Sequence, residues 1–137
     1  MSYRIELTEE SKAKIDELLN RALMMTASDI KEDILRNCPV DTGWTRTTVD
    51  VYVEGTTIVI KAGGAMVYIE FGTPPHIIRP KDKEALYWKG AEHPVKVVRR
   101  HPGTRANPVI RNAIHRGVLD YIPKRIKQAF KESGMAM

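Results

Sequence analysis

The chain has 137 residues, of which 42% are hydrophobic and 28% are charged. This is the composition of an ordinary soluble domain, and it excludes disordered and fibrous architectures. Its one cysteine excludes an intramolecular disulfide, and no apolar run reaches the roughly 20 residues of a transmembrane helix. The N-terminal residues also contain no apolar stretch that resembles a secretion signal. We therefore expect a single domain over residues 1–137 that is made in the cytoplasm.

Charge divides the sequence into an acidic and a basic half. Residues 1–78 contain 8 Lys/Arg against 12 Asp/Glu, whereas residues 79–137 contain 14 against 5, so the halves carry −4 and +9. This asymmetry suits a polyanionic partner, or like subunits that meet head to tail with acidic surface on basic surface. Two separately solvated faces are the alternative interpretation.

A long amphipathic helix is predicted over residues 9–37. Thr8 is a good N-cap, and the two glutamates that follow it favour the positive end of the helix dipole. Apolar side chains then recur at helical spacing as far as Ile34, with no Gly or Pro inside the pattern. Cys38, at the end of this helix, is expected to be a buried apolar side chain rather than a reactive thiol.

A β-hairpin is predicted after this helix. Apolar and polar residues alternate from Val49 to Val53, which is the pattern of a half-buried strand. Gly55 marks a tight turn, and residues 57–60 return as the partner strand. The short apolar segment Met66–Phe71 fits either a helical turn or a buried strand, and we favour the helix.

The hairpin is expected to belong to a larger antiparallel sheet within residues 47–99. Two more segments, residues 85–88 and 95–98, have β-like composition and are separated by Gly and Pro. They would extend the hairpin to a sheet of about four to five strands, interrupted by a proline-rich loop. The predicted sheet core consists of Val49, Val51, Ile58, Ile60, Leu86 and Val97.

The C-terminal part predicts a second long helix over residues 108–132. Asn107 and Pro108 suit an N-cap and a first helical position, and an apolar stripe continues as far as Phe130. Pro123 falls inside this stripe, which keeps its phase across it, so one kinked helix is favoured over a break into two. Terminal helices that cover an antiparallel sheet describe an α+β fold.

The sequence offers candidates for catalysis and metal binding, but none has a diagnostic spacing. The four histidines include no i, i+4 pair, and no cysteine pair accompanies them: His76, His93, His101 and His115. Glu70 lies in an apolar segment where burial would suit acid–base chemistry, although a buried glutamate paired with Arg or with a backbone amide fits equally well. Nucleophile elbows and phosphate loops are missing. We expect no enzyme activity and no cofactor, with a metal-dependent enzyme as an alternative.

A basic stretch suggests a second alternative, a nucleic-acid-binding module. Residues 79–105 combine many Arg and Lys with Tyr87 and Trp88, the mixture that grips phosphates and stacks bases. No recognition-helix or RNA-binding signature accompanies them, and the two aromatics also suit the core and rim of a sheet. The candidates for facing phosphate or a DNA channel are Lys83, Lys96, Arg99, Arg100 and Arg105.

Prolines stiffen the loops of the same region. They stand at five positions: Pro74, Pro75, Pro80, Pro94 and Pro102. A fixed φ reduces the entropy lost when a loop is ordered against a partner. Gly72 and Gly103 supply unusual backbone angles beside these prolines. The loops at about 72–83 and 99–107 are therefore predicted to be docking arms, and the sheet edges near them to accept another strand.

Four short motifs stand in order along residues 38–114. They are CPVDTG at Cys38–Gly43, YIEFGT at Tyr68–Thr73, HIIRPK at His76–Lys81 followed by Ala85-Leu86, and HPGT at His101–Thr104 followed by Ala106–Pro108. Together they resemble the minor tail-component family of long-tailed bacteriophages, which includes tail-completion and neck proteins. Where that family usually has a basic and then an apolar residue after Thr-Gly, this chain has Trp44-Thr45, and Arg46 follows.

The resemblance implies an α+β virion protein without enzymatic activity, assembled in the host cytoplasm as a ring around the DNA channel. The ring would lie at the head-proximal end of the tail or at the head–tail junction. Implied partners are further copies of the chain through a heterologous interface, tail-tube, tail-terminator or connector proteins, and DNA in non-specific proximity, with no membrane. The residues expected at the subunit or tail interface are Asp41, Thr42, Gly43, Glu70, Phe71, Gly72, Thr73, His76, Arg79, Pro80, Lys81, His101, Pro102, Gly103 and Thr104. Asp41–Gly43 is expected to form a turn rather than a ligand site, because Asp can bond nearby amides and Gly permits a positive φ.

Overall fold

The computed structural model describes residues 1–39, 44–78, 98–101 and 103–134. Over these ranges the chain combines helices with antiparallel strand pairs, which agrees with the α+β prediction. The chain divides into two compact units. We call Met1–Gly64 with Val109–Met137 the helical unit and Ala65–Pro108 the arm unit. Among the described residues no helix has both the length and the apolar character to cross a membrane.

The first helix, α1, spans Glu9–Asn37, as predicted. Its N-terminus is capped by Thr8, whose Oγ1 accepts a hydrogen bond from the Ser11 N–H at 3.1 Å. Its C-terminus falls at Cys38, which has an extended backbone because the residue before a proline avoids the helical region. Cys38 is buried, with 3% of its surface exposed, which confirms the expected packing role.

The C-terminal helix is continuous but changes its hydrogen-bonding pattern midway. It consists of α4 (Val109–Arg116), a π-helical segment (Gly117–Tyr121) and α5 (Ile122–Glu132), and therefore continues through Pro123. In the π segment the Ile122 N–H bonds the Gly117 carbonyl, five residues back. A proline lacks an N–H and its ring crowds the carbonyl four residues earlier, so the wider turn before Pro123 relieves that conflict.

The buried apolar residues of the helical unit come mainly from its helices. The helices contribute Leu18, Ala22, Ala27, Ile30 and Ile34 of α1 with Val109, Ala113 and Ala129 of α4 and α5, and Cys38 and Val49 are buried outside them. The predicted sheet-centred core is therefore wrong for this unit: Val49 is buried, but Val51, Ile58 and Ile60 are only half-buried. A two-stranded hairpin has too small a face to bury a long helix, so the helices bury each other.

The predicted hairpin consists of β1 (Asp50–Glu54) and β2 (Thr57–Lys61), paired antiparallel. The connection has two residues, and its first, Gly55, has φ +60, as a tight hairpin turn of the II′ kind requires. Two short helices flank the hairpin: α2 (Trp44–Thr47), which was not predicted, and α3 (Met66–Phe71), the predicted short helix.

The expected single sheet of four to five strands is not found in the described residues. They form two separate two-stranded sheets, β1–β2 and β3–β4, where β3 is His76–Ile78 and β4 is Val98–His101. The predicted strand at 85–88 lies outside the described residues, as does 95–97. Val98 does lie in a strand, but it pairs with Ile78 and not with the hairpin. Alternation along a sequence indicates a strand without indicating its partner, which is a non-local choice.

Candidate functional site

In their described parts, the two loops that the sequence predicts as docking arms are the two sides of one arm. His76 pairs with His101 and Ile78 with Val98 in the antiparallel β3–β4 ladder, with a register irregularity between the two pairs. Closer to the base of the arm, Thr73 and Thr104 form an isolated antiparallel bridge. We call residues 72–78, 98–101 and 103–106 the β-arm. Pairing of its sides restricts each of them more than proline alone would.

The base of the β-arm is held by hydrogen bonds between two threonines. The Thr73 N–H donates to the Thr104 carbonyl at 3.0 Å, and the Thr104 N–H donates to the Thr73 carbonyl at 3.1 Å. Their hydroxyl oxygens are a further 2.9 Å apart, at hydrogen-bonding distance. The Thr104 N–H also donates to the Thr73 hydroxyl at 2.9 Å, so two backbone bonds and two contacts of side-chain oxygens join the same residue pair and fix the register at this point.

Two glycines permit the close approach of the strands at this base. Gly72 has φ +74, and a Cβ there would lie 2.6 Å from the Thr104 carbonyl oxygen and 2.8 Å from the Ala106 nitrogen. Gly103 has φ +79, and a Cβ there would overlap the Thr73 carbonyl oxygen. Both positions combine left-handed backbone with contact against main chain, so no other residue fits without moving the strands.

Helix α3 leads into the β-arm and presents an apolar face to solvent. Met66 and Glu70 are buried at i and i+4, whereas Val67, Tyr68 and Phe71 are 54%, 59% and 65% exposed. We call these three exposed residues the α3 face. The Gly72 N–H bonds the Tyr68 carbonyl at 2.7 Å and the Asn107 N–H bonds the Ile69 carbonyl at 2.8 Å, so α3 is tied to both sides of the arm base. The face and the arm base therefore form one ordered element.

A second feature, in the helical unit, is a buried carboxylate that joins α1 to the C-terminal helix. The Asp33 side chain is 2% exposed and receives two bonds from Arg116, each 2.6 Å. Tyr121 donates its hydroxyl to Asp33, and Asn37 donates its amide at 3.0 Å. We call Asp33, Asn37, Arg116 and Tyr121 the carboxylate cluster. The hydrogen bond from Arg116 is the main reason that the pKa of Asp33 falls to about 2, because it outweighs the effect of burial.

The cluster carboxylate is fully partnered, so its chemistry is that of a structural ion pair. The hydrogen bond to Asp33 also raises the pKa of Arg116 and that of Tyr121. At neutral pH the carboxylate is therefore ionised, while the guanidinium and the phenol keep their protons. A carboxylate with so low a pKa is a poor general base, and its oxygens are already engaged.

The π-helical segment explains why two residues five apart reach the same carboxylate. In a regular α-helix of 3.6 residues per turn, Arg116 and Tyr121 would point about 140° apart. The wider turn between them brings both side chains to the side that faces α1. Gly117 opens the same segment, and a Cβ there would lie 2.9 Å from Ile30 Cδ1 on α1. The point at which the C-terminal helix comes closest to Ile30 of α1 is therefore also the point at which its π-helical segment begins.

A second Asp–Arg pair lies one turn earlier on α1. Arg125 donates from Nε to Asp29 Oδ2 at 2.6 Å and from its second nitrogen to Asp29 Oδ1 at 2.7 Å. The bond to Asp29 raises the pKa of Arg125. Asp29 and Asp33, spaced i and i+4, thus bind two arginines of the basic C-terminal half. Part of the charge asymmetry in the sequence is therefore neutralised within the chain and not between subunits.

The predicted interface residues fall into three groups. Phe71, Gly72, Thr73, Gly103 and Thr104 meet at the arm base, with buried Glu70 on the inner side of α3. His76, Arg99, Arg100 and His101 lie in the β3–β4 ladder, and Arg105 is exposed after it. The remaining predicted residues lie outside the described ranges: Asp41, Thr42, Gly43, Arg79, Pro80, Lys81, Lys83, Lys96 and Pro102. No group of three or more potential metal ligands is found among the described residues.

Sequence reasoning missed the carboxylate cluster and most of the α3 face. The available signal for the first was a pair of aspartates at i, i+4 on the inner side of α1 with arginines on the other long helix. The signal for the second was the number of apolar residues in α3. A helix of only six residues buries one narrow stripe, so Val67, Tyr68 and Phe71 cannot all be covered by the packing that buries Met66 and Glu70.

Comparison with known proteins found no matching family model, no matching curated protein and no matching solved structure.

Proposed function

We propose that this chain is a structural virion protein of a tailed phage or prophage that acts in tail completion or head–tail joining. It forms a ring at the head-proximal end of the tail, binds tail-tube, tail-terminator or connector proteins, and has no enzymatic role. The observation that carries the proposal is the α3 face, which presents exposed Tyr68 and Phe71 beside the locked base of the β-arm. Tyr68 and Phe71 also belong to the motif YIEFGT, one of the four that resemble the minor tail-component family.

The α3 face has the composition of an interface centre. Exposed Tyr and Phe side chains provide large contact areas at a low cost in side-chain entropy, and aromatic residues dominate the energy of many interfaces. Soluble proteins rarely leave a contiguous apolar patch uncovered without such a use. Three apolar side chains, each more than half exposed, therefore support a role in docking to another protein.

The β-arm beside this face supports docking through its order before binding. Its base is bonded at Thr73 and Thr104, and its glycines leave no room for another side chain. A binding element that is already ordered loses less entropy when it meets its partner, so more of the contact energy appears as affinity. Strand edges on such an arm also present backbone groups to a partner sheet.

A ring requires a second, different patch on each subunit, and the helical unit provides a candidate. Ile114, Val118 and Leu119 on the C-terminal helix are 42%, 59% and 59% exposed. A heterologous interface joins two unlike patches, and such contacts close into a ring when the rotation between subunits permits it. Both patches lie on helices, but the α3 face contains two aromatic side chains and the helical patch is wholly aliphatic, so two unlike surfaces are available for a head-to-tail contact.

The basic second half suits a position close to DNA without sequence reading. Two of its arginines are engaged by Asp29 and Asp33, whereas Arg105 is exposed. Phosphate contacts from Arg and Lys screen charge and carry no sequence information. The finer fold prediction, an antiparallel sheet of about four to five strands with further strands at residues 85–88 and 95–98, stays part of this proposal.

The test is complementation of a phage or prophage that lacks the gene. We expect particles without the protein to have unjoined heads and tails in electron micrographs, and the wild-type gene to restore joined particles. Phe71→Ser should fail to restore them because it removes an apolar contact from the α3 face, whereas Lys127→Ser on the exposed side of α5 should succeed. Normal assembly without the protein, combined with tight and strongly salt-dependent DNA binding by the isolated chain, would favour the nucleic-acid module instead.

A further inference from the structure

The N-terminal segment has the pattern of a strand but has no strand partner in the described residues. Residues 1–8 precede α1 without helix or strand structure. Within them Tyr3, Ile5 and Leu7 alternate with polar residues and are 88%, 93% and 56% exposed. Alternation with period two gives an extended segment one apolar side, which is stable only when another surface covers it.

An apolar groove of about 440 Å³ lies beside β1 in the helical unit. It is lined by Asn20, Met24, Ala27, Ser28 and Lys31 of α1 and by Val51, Tyr52 and Val53 of β1. Met24, on the wall of the groove, is 60% exposed. Among the described residues no third strand pairs with β1 on this side. The groove therefore combines an apolar wall with an unpaired strand edge.

The hairpin register shows which backbone groups this edge offers. Glu54 and Thr57 close the two-residue turn, so they exchange both of their backbone hydrogen bonds. Bonded and non-bonded pairs alternate along an antiparallel ladder, so Val51 and Val53 fall at non-bonded positions. Their N–H and C=O groups point away from β2, towards the open side, where an added strand would bond them.

The length of the groove matches the N-terminal segment, yet the segment of the same chain does not reach it. From Asn20 to Lys31 the wall extends ~16 Å along α1, and Tyr3–Leu7 spans about the same length when extended. The near end of the groove lies ~18 Å along α1 from Thr8, whereas Leu7 is only one residue from Thr8. A segment folded back along its own helix would reach the near end with its first residues only. An N-terminal segment that fills the groove along its whole length must therefore come from a second copy.

We propose that residues 2–8 of one copy add as a strand to β1 of a second copy, with Tyr3, Ile5 and Leu7 covering the groove. Each copy donates one segment and accepts another, so the contact is head to tail and unlike surfaces meet. This inference rests on the proposed ring assembly and names one of its contacts. Backbone bonds to Val51 and Val53 provide the pairing, and the apolar wall fixes which side of the strand faces α1.

Two variants of the full chain separate donor from acceptor. Ile5→Glu places a charge on the apolar side of the donated segment, and Met24→Glu places one on the wall of the groove. Both side chains are largely exposed, so neither variant should disturb the fold. Ser2→Glu, on the polar side of the segment, and Leu19→Glu, on α1 outside the groove, are controls with the same introduced residue.

Sedimentation velocity over a dilution series measures the effect. We expect the wild type and both controls to associate, and each of the two variants to weaken association by about tenfold or more. Mixing the two variants is the decisive experiment. Ile5→Glu still accepts a segment and Met24→Glu still donates one, so the mixture should give a one-to-one dimer and nothing larger.

Three outcomes would overturn the strand exchange. One is a wild type that stays monomeric up to its solubility limit, with Met24→Glu lowering its melting temperature as if the same chain covered the groove. Another is association that neither variant weakens, and the last is a mixture that stays monomeric. If both variants form normal rings, the strand exchange is wrong but the proposed tail-completion role is not contradicted. That role is tested separately by the complementation assay for joined heads and tails.

Discussion

The carboxylate cluster makes an asymmetric prediction about two substitutions of one ion pair. The Asp33 side chain is 2% exposed, whereas the Arg116 side chain is 40% exposed. Arg116→Met leaves a buried carboxylate with bonds from only Tyr121 and Asn37. Asp33→Asn leaves a guanidinium that water can reach. Removing the exposed cation should therefore destabilise the chain more than neutralising the buried anion.

The magnitudes follow from burial and from the pKa of Asp33. A buried charge that loses its partner costs about 3–5 kcal/mol, so we expect a loss in this range for Arg116→Met. Asp33→Asn should cost about 2 kcal/mol, because lowering the pKa of Asp33 from 3.8 to about 2 corresponds to that free energy. The folded-state pKa lies below the unfolded one. The stabilisation by ionised Asp33 is therefore complete above the pKa of the unfolded state, and it is lost as the pH falls through the pKa of the folded state.

Urea denaturation across a pH series tests these values. We expect the difference in unfolding free energy between wild type and Asp33→Asn to shrink by about 2 kcal/mol between roughly pH 5 and pH 2. The double mutant should be more stable than the sum of the single losses predicts, because the buried charge is then gone. Equal losses for the two single mutants, strict additivity, or a difference independent of pH would refute the proposed asymmetry.

Three further predictions concern the glycines and the cysteine. Gly72→Ala should accelerate amide exchange throughout the β-arm, because the added Cβ would lie 2.6 Å from a backbone oxygen. Gly55→Ala is the control: this position also has a positive φ, +60, but has open space around it, so the substitution should cost only about 1–2 kcal/mol in backbone strain. Equal effects of the two substitutions would contradict the packing argument. Gly117→Ala should lower the unfolding free energy by about 1–3 kcal/mol by crowding Ile30, and Ile30→Val should restore much of it, as a double-mutant cycle would measure. Burial raises the pKa of the Cys38 thiol, so alkylation at neutral pH should be slow in the native chain and fast in urea; rapid native alkylation would contradict its burial.

The long helices could be predicted because their signals are local. The Thr8 cap and the apolar stripe specify α1 within its own residues, so its bounds agree with the prediction. The hairpin turn at Gly55 could also be predicted, because its first residue needs a positive φ, which favours glycine. Continuity of the C-terminal helix through Pro123 also followed from the phase of its stripe.

The candidate site was only partly accessible to sequence reasoning. Gly72, Thr73, Gly103 and Thr104 were selected as interface residues, but as parts of two separate loops. Their bridge across the arm base is a contact between residues thirty-one positions apart, which no local pattern specifies. The exposure of Phe71 and the burial of Glu70 likewise depend on tertiary packing around α3 and not on the local sequence.

Sequence alone thus determined the two long helices, the short helix α3 and the hairpin with its turn at Gly55, because these properties arise within one turn or one hairpin. It also marked Gly72 and Gly103 as positions of unusual backbone angles, but it did not predict helix α2 or strand β3. Only the tertiary structure decided which segments meet. It paired the two arm strands with each other and not with the hairpin. It also neutralised two basic residues of the second half on α1 and placed a π turn where Arg116 and Tyr121 reach one carboxylate. These choices depend on surfaces that are brought together only when distant parts of the chain pack. Hydrophobic periodicity and secondary-structure propensity are local properties, so they cannot predict such contacts.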